Sequence, residues 1–189
     1  PIDVSGGDCV CDISLDSRIG NINVTSTGDF ELSGAGQIGD GGSVNMSAGG
    51  NVTMAGDIIS DARGSGGDSG YGGGFGGDVD IFAQGSVTST GRVEVNGASP
   101  DGDAGTASYQ AGLDVSLGGT LLLSTIGYGT GGDVFLDAGR NATITAPITA
   151  TGDIGAGGSV DMSAAAAMSV SSTVKAQATD LLTGYGGTI

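Results

Sequence analysis

The segment GGDVFLDAGRNATITAPITATG at residues 131–152 alternates apolar side chains with other residue types. Val134 and Leu136 lie two residues apart, and so do Ala142 and Ile144. Successive side chains of a β-strand point to opposite faces of its sheet. This spacing therefore predicts two short strands, each of which buries one face and exposes the other.

Similar segments recur along the whole chain, and each one follows a glycine. The glycines that we align as the starts of repeats are Gly20, Gly42, Gly77, Gly105, Gly132, Gly158 and Gly187. The six intervals between them average about 28 residues, a period typical of solenoid proteins.

Within each repeat the apolar residues keep a fixed distance from this glycine. Most repeats carry Val, Ile, Leu or Met two and four residues after it, and a small residue, mostly Ala, six residues after it. The pattern resumes ten and twelve residues on, and a third short run follows at Ile58, Val93, Leu121, Ile148 and Val174. With no helical period, this pattern predicts an all-β fold. We expect a parallel β-helix with three short strands and about 28 residues per rung.

The repeats predict one β-helix domain over residues 1–189. We interpret residues 1–19 as an irregular first rung that carries the two cysteines, Cys9 and Cys11. The longest interval contains ARGSGGDSGYGGGFGG at 62–77, whose glycine content indicates a flexible loop inserted between rungs.

Three tyrosines lie in Gly-Tyr-Gly segments that precede the aligned glycines, at Tyr71, Tyr128 and Tyr185. We expect these loops at one edge of the solenoid. Two interpretations stay open: the rings form an exposed row that contacts a glycan or a neighbouring subunit, or they pack back over the loop bases.

The charge of the chain excludes some partners. Twenty-one acidic residues against five basic ones give a net charge of −16, which repels nucleic-acid phosphates and anionic membrane surfaces. No apolar run approaches the ~20 residues of a membrane-spanning helix. We therefore expect neither nucleic-acid binding nor membrane insertion.

Carboxylates on the first strand of each repeat raise the question of catalysis, since polysaccharide-cleaving enzymes use clustered carboxylates. The aspartates concerned are Asp78, Asp80, Asp133, Asp137 and Asp161. Intervening repeats carry Ser, Thr, Asn or Gln at these positions, and no Arg or Lys falls on this strand to bind an acidic sugar. This pattern favours a solvated polar face, and we expect no enzymatic activity.

Cofactor ligands are scarce in the sequence. GGFGGDVDI at 73–81 partly matches a calcium-binding nonapeptide, but Asp80 takes its apolar position and no tandem copies follow. Because the chain has no His and two Cys, it lacks the ligands of a zinc or haem site. We expect no specific cofactor, with diffuse Ca²⁺ binding to the acidic surface as an open alternative.

The repeat also resembles a known family. GGSVNMSAGGNVTM (41–54), GGDVDIFAQGSVTS (76–89) and GGDVFLDAGRNATI (131–144) are similar to the repeats of filamentous-haemagglutinin-type exoproteins and related large bacterial adhesins. The resemblance covers about residues 20–189. It implies a right-handed parallel β-helix, secreted by a bacterium and displayed at the cell surface as an extracellular filament or rod for adhesion.

Both ends of the chain suggest continuation of the solenoid. The last three residues begin a new rung, and the first four resume the alternation, so we expect the stack to extend or to join copies head to tail. In the joined sequence, Ile189 followed by Pro1 would keep inward residues two apart, with the cysteine thiols near the junction. The residues assigned to assembly are Pro1, Ile2, Val4, Cys9, Cys11, Gly187, Thr188 and Ile189.

These observations lead to one functional hypothesis and one alternative. The hypothesis is a non-catalytic structural segment of a secreted bacterial β-helical fibre or adhesin, which assembles by stacking of rungs. The alternative is a carbohydrate-binding or polysaccharide-acting β-helix protein, with glycans or host cell surfaces as partners.

Overall fold

The computed structural model describes residues 2–3, 11–34, 39–63, 73–180 and 184–189. Over these ranges the chain forms 19 β-strands and no helix. The strands make three parallel sheets that wind into a β-solenoid of about six turns with roughly 28 residues per rung, as the sequence predicts. Within the same ranges no helix is long and apolar enough to cross a membrane.

Each rung contributes one strand to each of the three sheets. The first sheet has six strands: β2 (Asp12–Ser17), β5 (Ser43–Ala48), β8 (Asp78–Ala83), β11 (Thr106–Ala111), β14 (Asp133–Ala138) and β17 (Ser159–Ala164). The second sheet also has six: β3 (Ile22–Val24), β6 (Val52–Met54), β9 (Val87–Ser89), β12 (Val115–Leu117), β15 (Asn141–Ile144) and β18 (Ala167–Val170). The third sheet has seven: β1 (Ile2–Asp3), β4 (Phe30–Glu31), β7 (Ile58–Ile59), β10 (Val93–Glu94), β13 (Leu121–Ser124), β16 (Ile148–Gly152) and β19 (Val174–Ala178).

Equivalent residues of successive rungs pair in register, which builds ladders of side chains along the solenoid axis. Val134 of β14 pairs with Ala107 of β11 and with Val160 of β17. All three side chains point inward and are buried. A single rung leaves its apolar face open, whereas each inward Val or Leu contributes about 1.5–3 kcal/mol once neighbouring rungs cover it. The inward positions predicted for the inner rungs are confirmed.

A close backbone approach explains why a glycine precedes the first strand of most rungs. A Cβ atom added to Gly105 would overlap the carbonyl oxygen of Gly77, and one added to Gly132 would overlap that of Gly105. The same overlap occurs at Gly77, Gly158 and Gly187 against the preceding rung. These glycines are therefore required where stacked corners touch through their backbones.

The structure corrects the start of the repeat series. The alignment of Gly20 with the other glycines is wrong, because Ile22 pairs with Val52 and so belongs to the second sheet. Residues 1–19 are not irregular throughout: Asp12–Ser17 forms a regular first strand. Cys11 takes the glycine position of this rung, and β2 is the edge strand of its sheet in the described residues.

The inserted loop at 62–77 is described at its two bases only. Ala62 pairs with Gly34, and the amide of Arg63 donates to the carbonyl of Gly34 at 2.9 Å, so the N-terminal base belongs to the stack. The carbonyl of Gly74 accepts a hydrogen bond of 2.9 Å from the amide of Ala98, so the C-terminal base belongs to the stack as well. The middle of the loop, with Tyr71, lies outside the described residues.

Candidate binding face and solenoid ends

The outward side of the first sheet presents three residues from every rung, and we call this surface the first face. Its 18 residues include seven Asp and, over the described strands, no Lys or Arg. All five aspartates that the sequence placed outward on this strand lie on the first face, namely Asp78, Asp80, Asp133, Asp137 and Asp161. The face is therefore acidic along its length.

A shallow groove of about 300 Å³ crosses the first face at the fourth to sixth rungs. Its lining residues are Ser108, Gln110, Phe135, Leu136, Asp137, Asp161 and Ser163. Phe135 is 43% exposed, and Phe82, on the third rung, is 44% exposed. Gln110 lies between Phe82 and the groove, because it pairs with Phe82 on one side and with the groove residue Asp137 on the other.

The carboxylates of this face differ in their surroundings. Partial burial raises the pKa of Asp80, and repulsion by Asp78 raises it further, while a hydrogen bond with Ser108 opposes both effects. Asp137 accepts a hydrogen bond of 2.6 Å from the hydroxyl of Ser163. The groove thus offers carboxylate, amide and hydroxyl groups beside an exposed aromatic ring.

Many aspartates, including two of the first face, have a structural role at the corners of the rungs. Nine Asp side chains accept hydrogen bonds from backbone amides: Asp12, Asp29, Asp40, Asp57, Asp61, Asp78, Asp103, Asp114 and Asp153. Most of these amides belong to the next rung, so the acidic side chains connect neighbouring corners. Sequence reasoning treated the acidic residues as surface charge and missed this role.

One corner carries a continuous series of these bonds, which we call the corner ladder. Asn21 accepts from the amide of Asn51 at 2.7 Å, and Asn51 accepts from the amide of Ser86 at 2.8 Å. Ser86 in turn accepts from the amide of Asp114 at 3.4 Å, and Asp114 from the amide of Asn141 at 3.2 Å. In the sequence, the acceptors of this ladder are the Asn, Asp or Ser residues that directly precede the strands of the second sheet.

The arginines are occupied by carboxylate partners. Arg63 pairs with Glu31 at 2.7 Å, and Arg92 pairs with Glu94 at 2.7 Å. Arg140 forms an ion pair with Asp114, which, with hydrogen bonds from Asn141, lowers the pKa of Asp114 to about 2. No group of three or more His, Cys, Asp or Glu is arranged to hold a metal ion in the described part of the chain.

The two tyrosines that the structure describes are exposed but do not occupy equivalent positions. Tyr128 is 67% exposed and Tyr185 is 77% exposed. Tyr185 lies two residues before its aligned glycine and pairs with Ala156. Tyr128 lies four residues before its glycine, and its amide donates to the carbonyl of Pro100 at 2.7 Å. The two described rings are therefore exposed, but they do not stand in one ladder of equivalent positions.

At the C-terminal end the chain begins a further rung, as the sequence predicts. Thr188 pairs with Ser159, its amide donates to Gly158 at 3.1 Å, and its carbonyl accepts from Val160 at 2.9 Å. Gly187 and Ile189 flank this residue in the same segment.

The N-terminal segment lies in a different sheet from the one that the sequence suggested. Ile2 pairs with Phe30 in the third sheet, whereas Ile189 lies beside the first sheet. A direct junction of Ile189 with Pro1 would skip the second sheet, so the continuous alternation expected across it is wrong. Cys11 is a half-buried free thiol. Three other residues assigned to assembly, Pro1, Val4 and Cys9, lie outside the described residues.

The sixth rung leaves inward apolar positions uncovered. Met168 and Val170 are each 41% exposed, while Ala142 and Ile144, their partners in the fifth rung, are 1% and 0% exposed. Strands β17, β18 and β19 are the edge strands of the three sheets at this end. In the described residues this end therefore combines exposed apolar side chains with edge strands, and Thr188 covers only the start of β17.

The architecture places the chain in the class of β-solenoid proteins. Comparisons with protein-family models, with curated proteins and with solved structures found no match.

Proposed function

We propose that this chain is a non-catalytic structural segment of a secreted bacterial β-helical fibre or adhesin, which assembles by stacking of rungs. The observation that carries the proposal is the exposure of Met168 and Val170, whose equivalents in the inner rungs are buried. Burying each of these side chains under a further rung would contribute about 1.5–3 kcal/mol.

The strand edges support the same conclusion. The edge strands β17, β18 and β19 present backbone groups that can pair with another strand. At the opposite end β2 and β3 are edge strands too, and Ile22 of β3 stands in the same inward ladder as Met168. A head-to-tail contact between these two different ends does not close on itself and generates an open fibre.

Stacking of identical copies has a steric condition, because the two ends of the chain stop in different sheets. If β3 of one copy pairs with β18 of another, β1 of the first copy and β19 of the second would occupy the same level of the third sheet. Residues 187–189 would likewise meet the start of β2. Stacking of identical copies therefore requires β1 and residues 187–189 to leave their present positions.

The outside of the bacterial cell is the location that we propose, on the basis of the rung resemblance to secreted adhesins. The non-catalytic assignment is supported by the acidic residues, nine of which are engaged as acceptors for backbone amides. Glycans or cell surfaces are the partners proposed for such a fibre.

Sedimentation and electron microscopy test the stacking. We expect rods whose length grows in steps of about 30 Å, since six rungs of ~4.8 Å make one copy. The double variant Met168→Lys with Val170→Lys should prevent assembly, and a variant that lacks residues 1–3 should assemble more readily. Ile126→Lys, which charges a more exposed apolar side chain away from the ends, is the control. A chain that stays monomeric at high concentration, or rods unaffected by the double variant, would contradict the proposal.

A further inference from the structure

The first face carries two aromatic side chains at positions where the other rungs are polar. The ladder that contains Phe135 otherwise consists of Ser14, Asn45, Asp80, Ser108 and Asp161. The ladder that contains Phe82 otherwise consists of Asp16, Ser47, Gln110, Asp137 and Ser163. Packing of the core does not require either ring, because both point away from it. Phe135 also lines the groove on this face, and the combination of an exposed ring with a concave polar surface is the feature that calls for a ligand.

We propose that the groove beside Phe135 binds a linear glycan whose sugar units carry free amino groups. Pyranose rings have an apolar C–H face, which packs on an exposed aromatic ring, and a rim of hydroxyl groups. Gln110, Asp137 and Ser163 line the same groove and supply donors and acceptors for that rim. The groove volume of about 300 Å³ is at the small end of ligand sites, which suits one or two sugar units of a longer chain.

The positions of the two rings favour an extended ligand. Phe82 and Phe135 lie on strands separated by β11 and are offset by two residues along the strand direction. With ~4.8 Å between strands and ~3.3 Å per residue, the two positions are about 11–12 Å apart. A linear chain can therefore cross the face obliquely and contact both rings, with Gln110 between them.

Charge selects the amino sugar among glycans. Asp80, Asp137 and Asp161 lie within or beside the groove, and the described strands place no basic side chain on the first face. An acidic polysaccharide is repelled by this surface, while an ammonium group is attracted by the carboxylates. The site lies on the side of the solenoid, so it is independent of stacking at the ends.

Calorimetry with three probes tests the proposal: a glucosamine oligosaccharide, its fully N-acetylated counterpart, and spermine as a charge-only probe. We expect the glucosamine oligomer to bind at least tenfold more tightly than the acetylated one. Phe135→Ala and Asp137→Asn should each weaken binding of the glucosamine oligomer at least tenfold, and Phe135→Ala should leave spermine binding unchanged.

Two matched controls keep the outcome interpretable. Phe75→Ala removes an exposed ring outside the first face, and Asp133→Asn removes an exposed carboxylate of the first face outside the groove lining. Both should bind like the parent chain, and circular dichroism should show that all variants keep the β-fold. Absence of binding, equal affinity for the acetylated oligomer, or insensitivity of glucosamine binding to Phe135→Ala would overturn the proposal. The last result would leave diffuse cation binding as the property of this face.

Discussion

The hydroxyl group of Tyr109 faces that of Ser89 in the centre of the solenoid, and neither hydroxyl has a hydrogen bond of normal geometry. Burial raises the pKa of Tyr109. Ser89 lies between Met54 and Leu117 in its ladder, and its side chain is much smaller than either of these neighbours. The large ring of Tyr109 thus takes the space that a larger side chain at Ser89 would fill.

Removal of the unpartnered hydroxyl should not weaken the fold. For Tyr109→Phe we expect the free energy of unfolding to stay the same or to rise by up to about 1 kcal/mol. Ser89→Leu should lower it by about 1–3 kcal/mol through overpacking, and adding Tyr109→Ile to that variant should recover part of the loss. Urea unfolding followed by circular dichroism measures all three. A marked loss in Tyr109→Phe would mean that the two hydroxyls do bond.

The success and the failures of the sequence predictions have physical reasons. Inward residues of the inner rungs were predictable because side chains alternate and equivalent positions stack in register. The first rung was misaligned because Cys11 stands where later rungs have glycine. Later rungs need glycine here because a Cβ atom would overlap a carbonyl oxygen of the preceding corner, whereas β2 is the edge strand in the described residues. Sequence reasoning followed the glycine and chose Gly20 instead.

The candidate site was predictable only in part. Alternation placed the aspartates of the first strand outward, but it gave no reason to single out Phe82 and Phe135. Their significance depends on which residues flank them on neighbouring strands, and that requires the register between rungs. The corner ladder was missed for a similar reason, since each of its bonds joins residues about 30 positions apart, as between Asn21 and Asn51.

The glycine contacts give a second prediction. Gly105→Ala should lower the free energy of unfolding by about 1–3 kcal/mol or more, because the added Cβ overlaps the carbonyl oxygen of Gly77 and the corner has to move. Gly118→Ala is the control in the same rung, since its nearest neighbour would be 3.5 Å away at ordinary contact distance. The control should be neutral or slightly stabilising. Equal melting temperatures of the two variants would contradict the close approach.

The corner ladder gives a third prediction. Asn51→Ala removes the side-chain acceptor of the Ser86 amide, and we expect a loss of about 0.5–1.5 kcal/mol in the free energy of unfolding. Asn45→Ala removes an exposed outward asparagine of the preceding strand and should have little effect. Both asparagines precede Ser or Thr by two positions, so the pair is matched in sequence context. If the corner ladder does not stabilise the fold, urea unfolding will give the two variants the same free energy of unfolding.

The last prediction concerns pH and the ion pair of Asp114 with Arg140. The Arg140 Nε donates to Asp114 at 2.9 Å, and the Asn141 side chain donates to the same carboxylate at 2.9 Å. These bonds favour the charged carboxylate, so its pKa falls from 3.8 to about 2 in the folded chain. A carboxylate whose pKa is lower in the folded state stabilises the fold above its unfolded pKa. That stabilisation is lost as the pH falls through the folded pKa.

Thermal melting between pH 7 and pH 2 measures this contribution. The parent chain should melt at a higher temperature than Asp114→Asn above about pH 4, and the difference should shrink as the pH falls towards 2. Asp133→Asn, which removes an exposed carboxylate of the first face, is the control for net charge. If the difference between the parent chain and Asp114→Asn stays constant over the whole range, the substitution acts through geometry, and the proposed ion pair contributes nothing to stability.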